Sequence, residues 1–123
     1  MRIFFNGDSG YFDGYNKDIG EKYGPFDLCL VECGQNNEEW SEIHMMPEES
    51  YQAFLDLKGR HMIPIHWGMF KLSFHSWTAP VERVLKAAGE NHSSVLTPRI
   101  GEIVLLDSVS PSLVRWWRES SYE

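Results

Sequence analysis

At 123 residues the chain has room for one domain with a modest core. A formal charge of −7 with no basic stripe excludes a nucleic-acid phosphate backbone as partner, while an anionic substrate stays open if a metal supplies the positive charge. No apolar run approaches the roughly 20 residues of a membrane helix, and the first residues lack the basic and apolar regions of a signal peptide.

Arg2 to Gly7 reads as a short buried strand, apolar and bounded by glycine. Gly7-Asp8-Ser9-Gly10 follows as a turn. Residues 13–23 are weakly helical, because two internal glycines each cost about 1 kcal/mol relative to alanine. Gly24-Pro25 ends that helix. Phe26 to Cys33 is a second buried strand.

Gly34 to Met46 is a long polar loop, and loops of this length in a small domain are either functional or disordered. Its embedded Trp40, Ile43, His44 and Met45 favour function. Pro47-Glu48-Glu49 opens a helix, since proline suits the first turn and acids suit its positive end. Tyr51, Phe54, Leu55 and Lys58 continue it at helical spacing, and Gly59 ends it. Residues 61–66 form a third strand, which stops at His66-Trp67-Gly68. An aromatic-rich loop spans 67–77. Thr78 then caps a helix that runs through Val84, Leu85 and Ala88 to Gly89. Val95 to Pro98 and Gly101 to Asp107 are strand-like, with Ile103-Val104-Leu105-Leu106 the strongest run. Leu113, Val114, Trp116 and Trp117 either cap the core or pack on another chain.

Alternating strands and helices predict an α/β fold with a largely parallel or mixed sheet, in one domain over 1–123. Sites in such sheets lie at the carboxyl ends of the strands. Asp8, the loop after Cys33, and His66 all fall there, and their convergence is the main pointer to a site. Cys29 and Cys33 would lie about 13 Å apart on an extended strand, too far to bridge. They read as reduced core thiols of a cytoplasmic protein.

Each polar candidate also has an ordinary explanation. A strand-end histidine such as His66 is commonly a satisfied structural residue, and aspartate is common in turns like that of Asp8. His44 and His75 lie in loops, where a surface histidine is the default. Together Asp8, His44 and His66 have donor chemistry suited to zinc, yet no short-range ligand pair such as His-x-His occurs in the chain. Nor does a Gly-x-Ser-x-Gly elbow or a glycine-rich phosphate loop. The aromatic loops with Trp40, Trp67 and Trp77 leave open a small-molecule binding module.

Several motifs occur in a telling order: Gly7-Asp8-Ser9-Gly10-Tyr11, Gly24-Pro25-Phe26-Asp27-Leu28, Ile43-His44-Met45 with Pro47-Glu48-Glu49, Ile65-His66-Trp67-Gly68, and Pro80-Val81-Glu82. Over roughly residues 3–107 the chain resembles the carboxyl-terminal half of the metallo-β-lactamase superfamily. Within it the resemblance is to N-acylphosphatidylethanolamine-hydrolysing phospholipase D and its bacterial relatives. The resemblance implies half of an αββα sandwich, one mixed sheet with helices on its outer face. It implies zinc-dependent hydrolysis of a phosphodiester, or of an ester, lactone or amide in other branches, with two zinc ions in the complete site. Asp8 would be a metal-bridging ligand, His66 the last histidine ligand, and His44 a catalytic pocket residue. Trp67 and His75 would touch a small-molecule or lipid-like substrate.

The superfamily's His-x-His-x-Asp-His signature belongs to the other half and is absent from this sequence. Two protein ligands fall short of the usual three for catalytic zinc. Two readings follow: the carboxyl-terminal part of a hydrolase, inactive as the isolated chain, or a non-catalytic half-domain held as an oligomer. Either way the inner sheet face would be bare. Burial there is worth about 25 cal/mol per Å², so the expected partner is a second copy of the chain or the missing amino-terminal half.

Overall fold

Ile3-Phe4-Phe5, Phe26–Glu32 and Gly59–Ile65 pair side by side as strands β1, β2 and β3, in a computed structural model that describes residues 1–70, 73–107 and 113–119. The sheet order is β1-β2-β3, and both pairings are parallel. Helix α1 spans Tyr15–Tyr23, α2 spans Pro47–Asp56 and α3 spans Ala79–Ala88. Each parallel step thus carries one helix in its crossover, as parallel pairing requires.

The register aligns Phe4, Cys29 and Met62 across the sheet, with Val31 beside Pro64. Side chains alternate along a strand, so these residues share one face. Cys29, Val31 and Met62 are fully buried there. They pack with Ala53, Phe54 and Leu57 from α2 and its end, and with Val81, Val84, Leu85 and Ala88 from α3. The α3 residues recur at i, i+3, i+4 and i+7, which makes one apolar stripe aimed at the sheet. Trp117, in a 3₁₀ turn at Trp116–Arg118, closes this core. The tail tryptophan therefore caps the chain's own core. Cys29 and Cys33 are free, buried thiols.

On the opposite face the register aligns Ile3, Leu28 and His61, then Phe5, Leu30 and Ile63. Ile3 and Phe5 are exposed, and Leu28, Leu30, Ile63 and Ile65 are only partly buried. Among the described residues, helices cover one side of the sheet, and the other side remains a largely apolar surface.

Three local expectations change. Val95–Pro98 form no strand beyond the single bridge of Val95 to Met62. Thr78 occupies the position before α3 but makes no side-chain cap; the Ser76 hydroxyl accepts from the Ala79 amide instead, at 3.2 Å. Residues 101–107 form no strand, and Ile103 and Leu105 are 83% and 65% exposed. An apolar run becomes a strand only where it runs along a sheet edge, and this one does not. Val95 already bridges Met62 on the outer side of β3. Val104–Asp107 pass instead beside Met1, Asp27, Arg60 and His61, at the amino ends of the strands.

Candidate active site

All three strands stop at the same edge of the sheet, and each hands over to a polar turn. After β1 the Asn6 side chain accepts from the Glu32 amide at 3.2 Å and donates to the Ser9 hydroxyl at 2.8 Å. The turn that carries Asp8 is thereby tied to the end of β2. Gly10 holds the far side of this turn: a Cβ there would sit 2.3 Å from the Glu42 carbonyl oxygen, so only glycine lets the turn approach the His44 loop.

After β2 the backbone crosses directly against β3. A Cβ on Gly34 would lie 1.5 Å from the His66 carbonyl oxygen, which leaves glycine as the sole residue that fits. Gln35 next donates to the carbonyls of His66 and Phe70, at 3.1 and 3.3 Å. Trp40 donates to the Gln35 carbonyl at 2.7 Å and folds the long loop back over the strand ends. His66 itself has φ +65°, a left-handed conformation uncommon for a non-glycine residue and concentrated at functional sites.

These turns enclose a cleft of about 630 Å³, lined by Asp8, Gln35, His44, His66, Trp67, Met69, Phe70 and Ile100. Four of the five side chains singled out from the sequence thus meet in one place: Asp8, His44, His66 and Trp67. His75 does not line the cleft; its Nδ1 faces the Ser76 carbonyl at 2.9 Å. Trp67 donates to the Pro64 carbonyl at 2.9 Å and stacks on Trp116 with ring centres 5.5 Å apart. Trp117 meets Trp67 edge-on at 5.1 Å. The aromatic wall of the cleft is therefore anchored in the core.

Glu32 was hidden within an apolar strand, and it lies at the centre of this arrangement. It is completely buried. Its Oε1 accepts from the Met45 amide at 2.9 Å, and its Oε2 lies 3.1 Å from His44 Nδ1 and 3.8 Å from His66 Nδ1. Its backbone carbonyl accepts from the Ser50 hydroxyl at 2.5 Å, which fixes the start of α2. Burial raises the Glu32 carboxyl above its ordinary value, while the Met45 amide and His44 pull it back. The signal was present in the sequence: a lone carboxylate between apolar residues in Leu30-Val31-Glu32-Cys33, at the end of a strand.

Donor chemistry for a borderline metal is present in the cleft as imidazole and carboxylate groups. The number of donors is short: among the described residues no group of three His, Cys, Asp or Glu side chains is placed to hold an ion. The chain's own described side chains do not complete a metal cage.

Comparison with known proteins accords with this geometry. Residues 1–67 match the family described as the β-lactamase superfamily domain. An uncharacterized protein of Mycobacterium tuberculosis is 44% identical over 121 residues, covering 95% of this chain and 32% of that protein. The chain thus spans about a third of the length of this relative. An N-acyl-phosphatidylethanolamine-hydrolyzing phospholipase D of Caenorhabditis elegans is 37% identical over 73 residues, 58% of this chain and 20% of the enzyme. Among solved structures, a metallo hydrolase from the archaeon Ignicoccus hospitalis superposes with a TM-score of 0.55 at 24% identity, over 78% of this chain and 36% of that one. At that identity the likeness bears on the fold alone.

Proposed function

Because the chain belongs to the metallo-β-lactamase superfamily, we propose that its strand-end cleft forms one wall of a zinc-dependent hydrolytic site. In this reading Asp8 and His66 each offer a donor to zinc, and His44 faces the substrate beside them. Trp67 supplies an apolar contact. The observation that carries the reading is the meeting of Asp8, His44, His66 and Trp67 in one cleft from three separate strand ends. The likeness to a phospholipase D that hydrolyses N-acyl-phosphatidylethanolamine supports a phosphodiester or related ester, lipid-like in character, as substrate class. His75, proposed to touch substrate, lies outside the cleft lining, so only a substrate extending beyond the cleft would meet it.

The donor shortfall sets the scope of the proposal. Three protein ligands are the usual minimum for catalytic zinc, so this chain works as the carboxyl-terminal part of the site and is inactive alone. The bare apolar face calls for a partner layer, either the missing amino-terminal half or a second copy of the chain. Parallel strands are normally covered on both faces, and apolar patches of this kind mark interaction surfaces. The buried free thiols of Cys29 and Cys33 accord with a reducing, cytoplasmic setting. Among the described residues no helix is long and apolar enough to cross a membrane.

The same shortfall favours a second reading, a non-catalytic half-domain held as an oligomer. Zinc stoichiometry separates the two. The purified chain, and its Asp8→Ala and His66→Ala variants, are titrated with zinc against a chelator. Weak binding that both substitutions abolish supports a partial site. Tight binding that neither substitution disturbs would overturn the assignment of these residues, and no zinc binding at all favours the second reading. Light scattering at micromolar concentration tests the second copy as partner layer; a monodisperse monomer would refute it and leave the amino-terminal half.

A further inference from the structure

We infer that Glu32 is a positioning residue that holds His44 in the Nδ1–H tautomer and so turns an unprotonated Nε2 toward the cleft. This rests on the reading of His44 as a residue that meets substrate, and it concerns how that residue is prepared.

A buried carboxylate is costly unless hydrogen bonds compensate it. Nothing in the packing of β2 calls for one: Val31 and Cys33 on either side are buried and apolar. The Glu32 oxygens divide their work. The Met45 amide can only donate, and it occupies Oε1 at 2.9 Å. Oε2 has no amide donor and is the nearer partner of His44 Nδ1, at 3.1 Å against 3.3 Å for Oε1. An ionised carboxylate can only accept, so the proton between Oε2 and His44 belongs to Nδ1. A neutral imidazole carries one ring proton, which leaves Nε2 with its lone pair free. His44 lines the cleft, and its side chain is 22% exposed. His66 Nδ1, at 3.8 Å from the same oxygen, is beyond hydrogen-bond length but within the field of the carboxylate.

An Nε2 lone pair in the cleft suits either of two tasks, accepting a proton from water or a leaving group, or accepting a hydrogen bond from a substrate hydroxyl. A carboxylate that fixes a histidine's tautomer through its far nitrogen is a recurrent device in histidine chemistry. The competing view is that Glu32 merely anchors the loop through Met45. That view predicts no effect on the imidazole, which makes the two separable.

Long-range ¹H–¹⁵N NMR on uniformly labelled chain reads both ring nitrogens of His44 directly. At a pH where the imidazole is neutral, the expected result is a protonated Nδ1 and an unprotonated Nε2. A protonated Nε2 would overturn the inference without any variant. Glu32→Gln gives the sharper test. The Met45 amide selects the glutamine oxygen for the Oε1 position, which turns the amide NH₂ toward His44. Nδ1 then meets the NH₂ at its nearer partner position, and the expected result is a shift of the tautomer toward Nε2–H, seen as an exchange of the two nitrogen shifts. An unchanged tautomer in folded Glu32→Gln would leave Glu32 a loop anchor only. If this variant does not fold, the wild-type tautomer decides alone. Addition of dimethyl phosphate, the simplest phosphodiester, reports separately on the cleft: undisturbed His44 resonances would count against the phosphodiester reading and leave the tautomer result standing.

Discussion

On the helix side of the sheet Cys29, Val31 and Met62 have no solvent exposure, whereas on the other side Leu28, Leu30 and Ile63 of the same strands are only partly buried, and Ile3 and Phe5 of the edge strand β1 are 51% and 64% exposed. Within β2 and β3 the two faces alternate residue by residue, yet among the described residues only one face is sealed. The difference teaches where the chain's stability resides. Its folding is driven by the layer between strands and helices, and the second face contributes little until something covers it. The cleft lies where the two regimes meet. Glu32 shares the bare face by alternation with Leu28 and Leu30, yet it is buried because the His44 loop folds over that end alone.

Substitutions on the two faces separate their contributions. The largest effect is expected for Met62→Ala, which opens a cavity in the sealed layer and should cost about 2–5 kcal/mol in urea unfolding. A loss below about 1 kcal/mol would mean that the sealed face is not the main source of stability. Gly34→Ala comes next. It forces the end of β2 away from the His66 carbonyl and should cost about 1–3 kcal/mol, with the His66 resonances shifting as the cleft deforms. A small shift in the unfolding midpoint with normal His66 resonances would show that the strand ends tolerate separation.

A weaker effect comes from pH. Arg118 forks onto Glu82 at 2.8 and 2.7 Å, and this, with the Trp117 indole donating at 2.7 Å, holds the Glu82 carboxyl below its ordinary value of 4.5. A lowered folded-state value means that the ion pair's contribution is complete above about that pH and is lost as pH falls through the lowered value. The pair is partly exposed, so its contribution is no more than about 1 kcal/mol. Comparing unfolding midpoints at neutral and acid pH, with Glu82→Gln as the insensitive control, measures it. The smallest effect on the isolated chain is expected for Phe5→Ser on the bare face, within about 0.5 kcal/mol. The same substitution should weaken any sheet-to-sheet association seen by light scattering. A cost as large as that of Met62→Ala would show that Phe5 is already covered in solution.

Much of this was legible in the sequence, and the failures have physical reasons. The strands and helices announced themselves through apolar runs, Pro47 and the flanking glycines, because those signals are local. The ordered motifs around Asp8, His44 and His66 gave the superfamily. The run Ile103-Val104-Leu105-Leu106 has strand chemistry, but it passes the amino ends of the strands instead of running along an edge, and that path is a property of the whole fold. Thr78 sits where a cap should be, yet Ser76 reached the amide first, a matter of loop geometry. Glu32 escaped notice because a strand-end carboxylate reads as surface until the loop that buries it is in place. His75 looked equivalent to His44 in sequence, but only His44 is drawn back to the strand ends through Glu32.

The stacked pair of Trp67 and Trp116 makes the cleft optically self-reporting. Two indoles with centres 5.5 Å apart and planes 21° from parallel couple their electronic transitions, which gives a paired positive and negative band in ultraviolet circular dichroism. One member of that pair lines the cleft, so an occupant that moves Trp67 alters the coupled bands, and the unlabelled chain can be titrated by light alone.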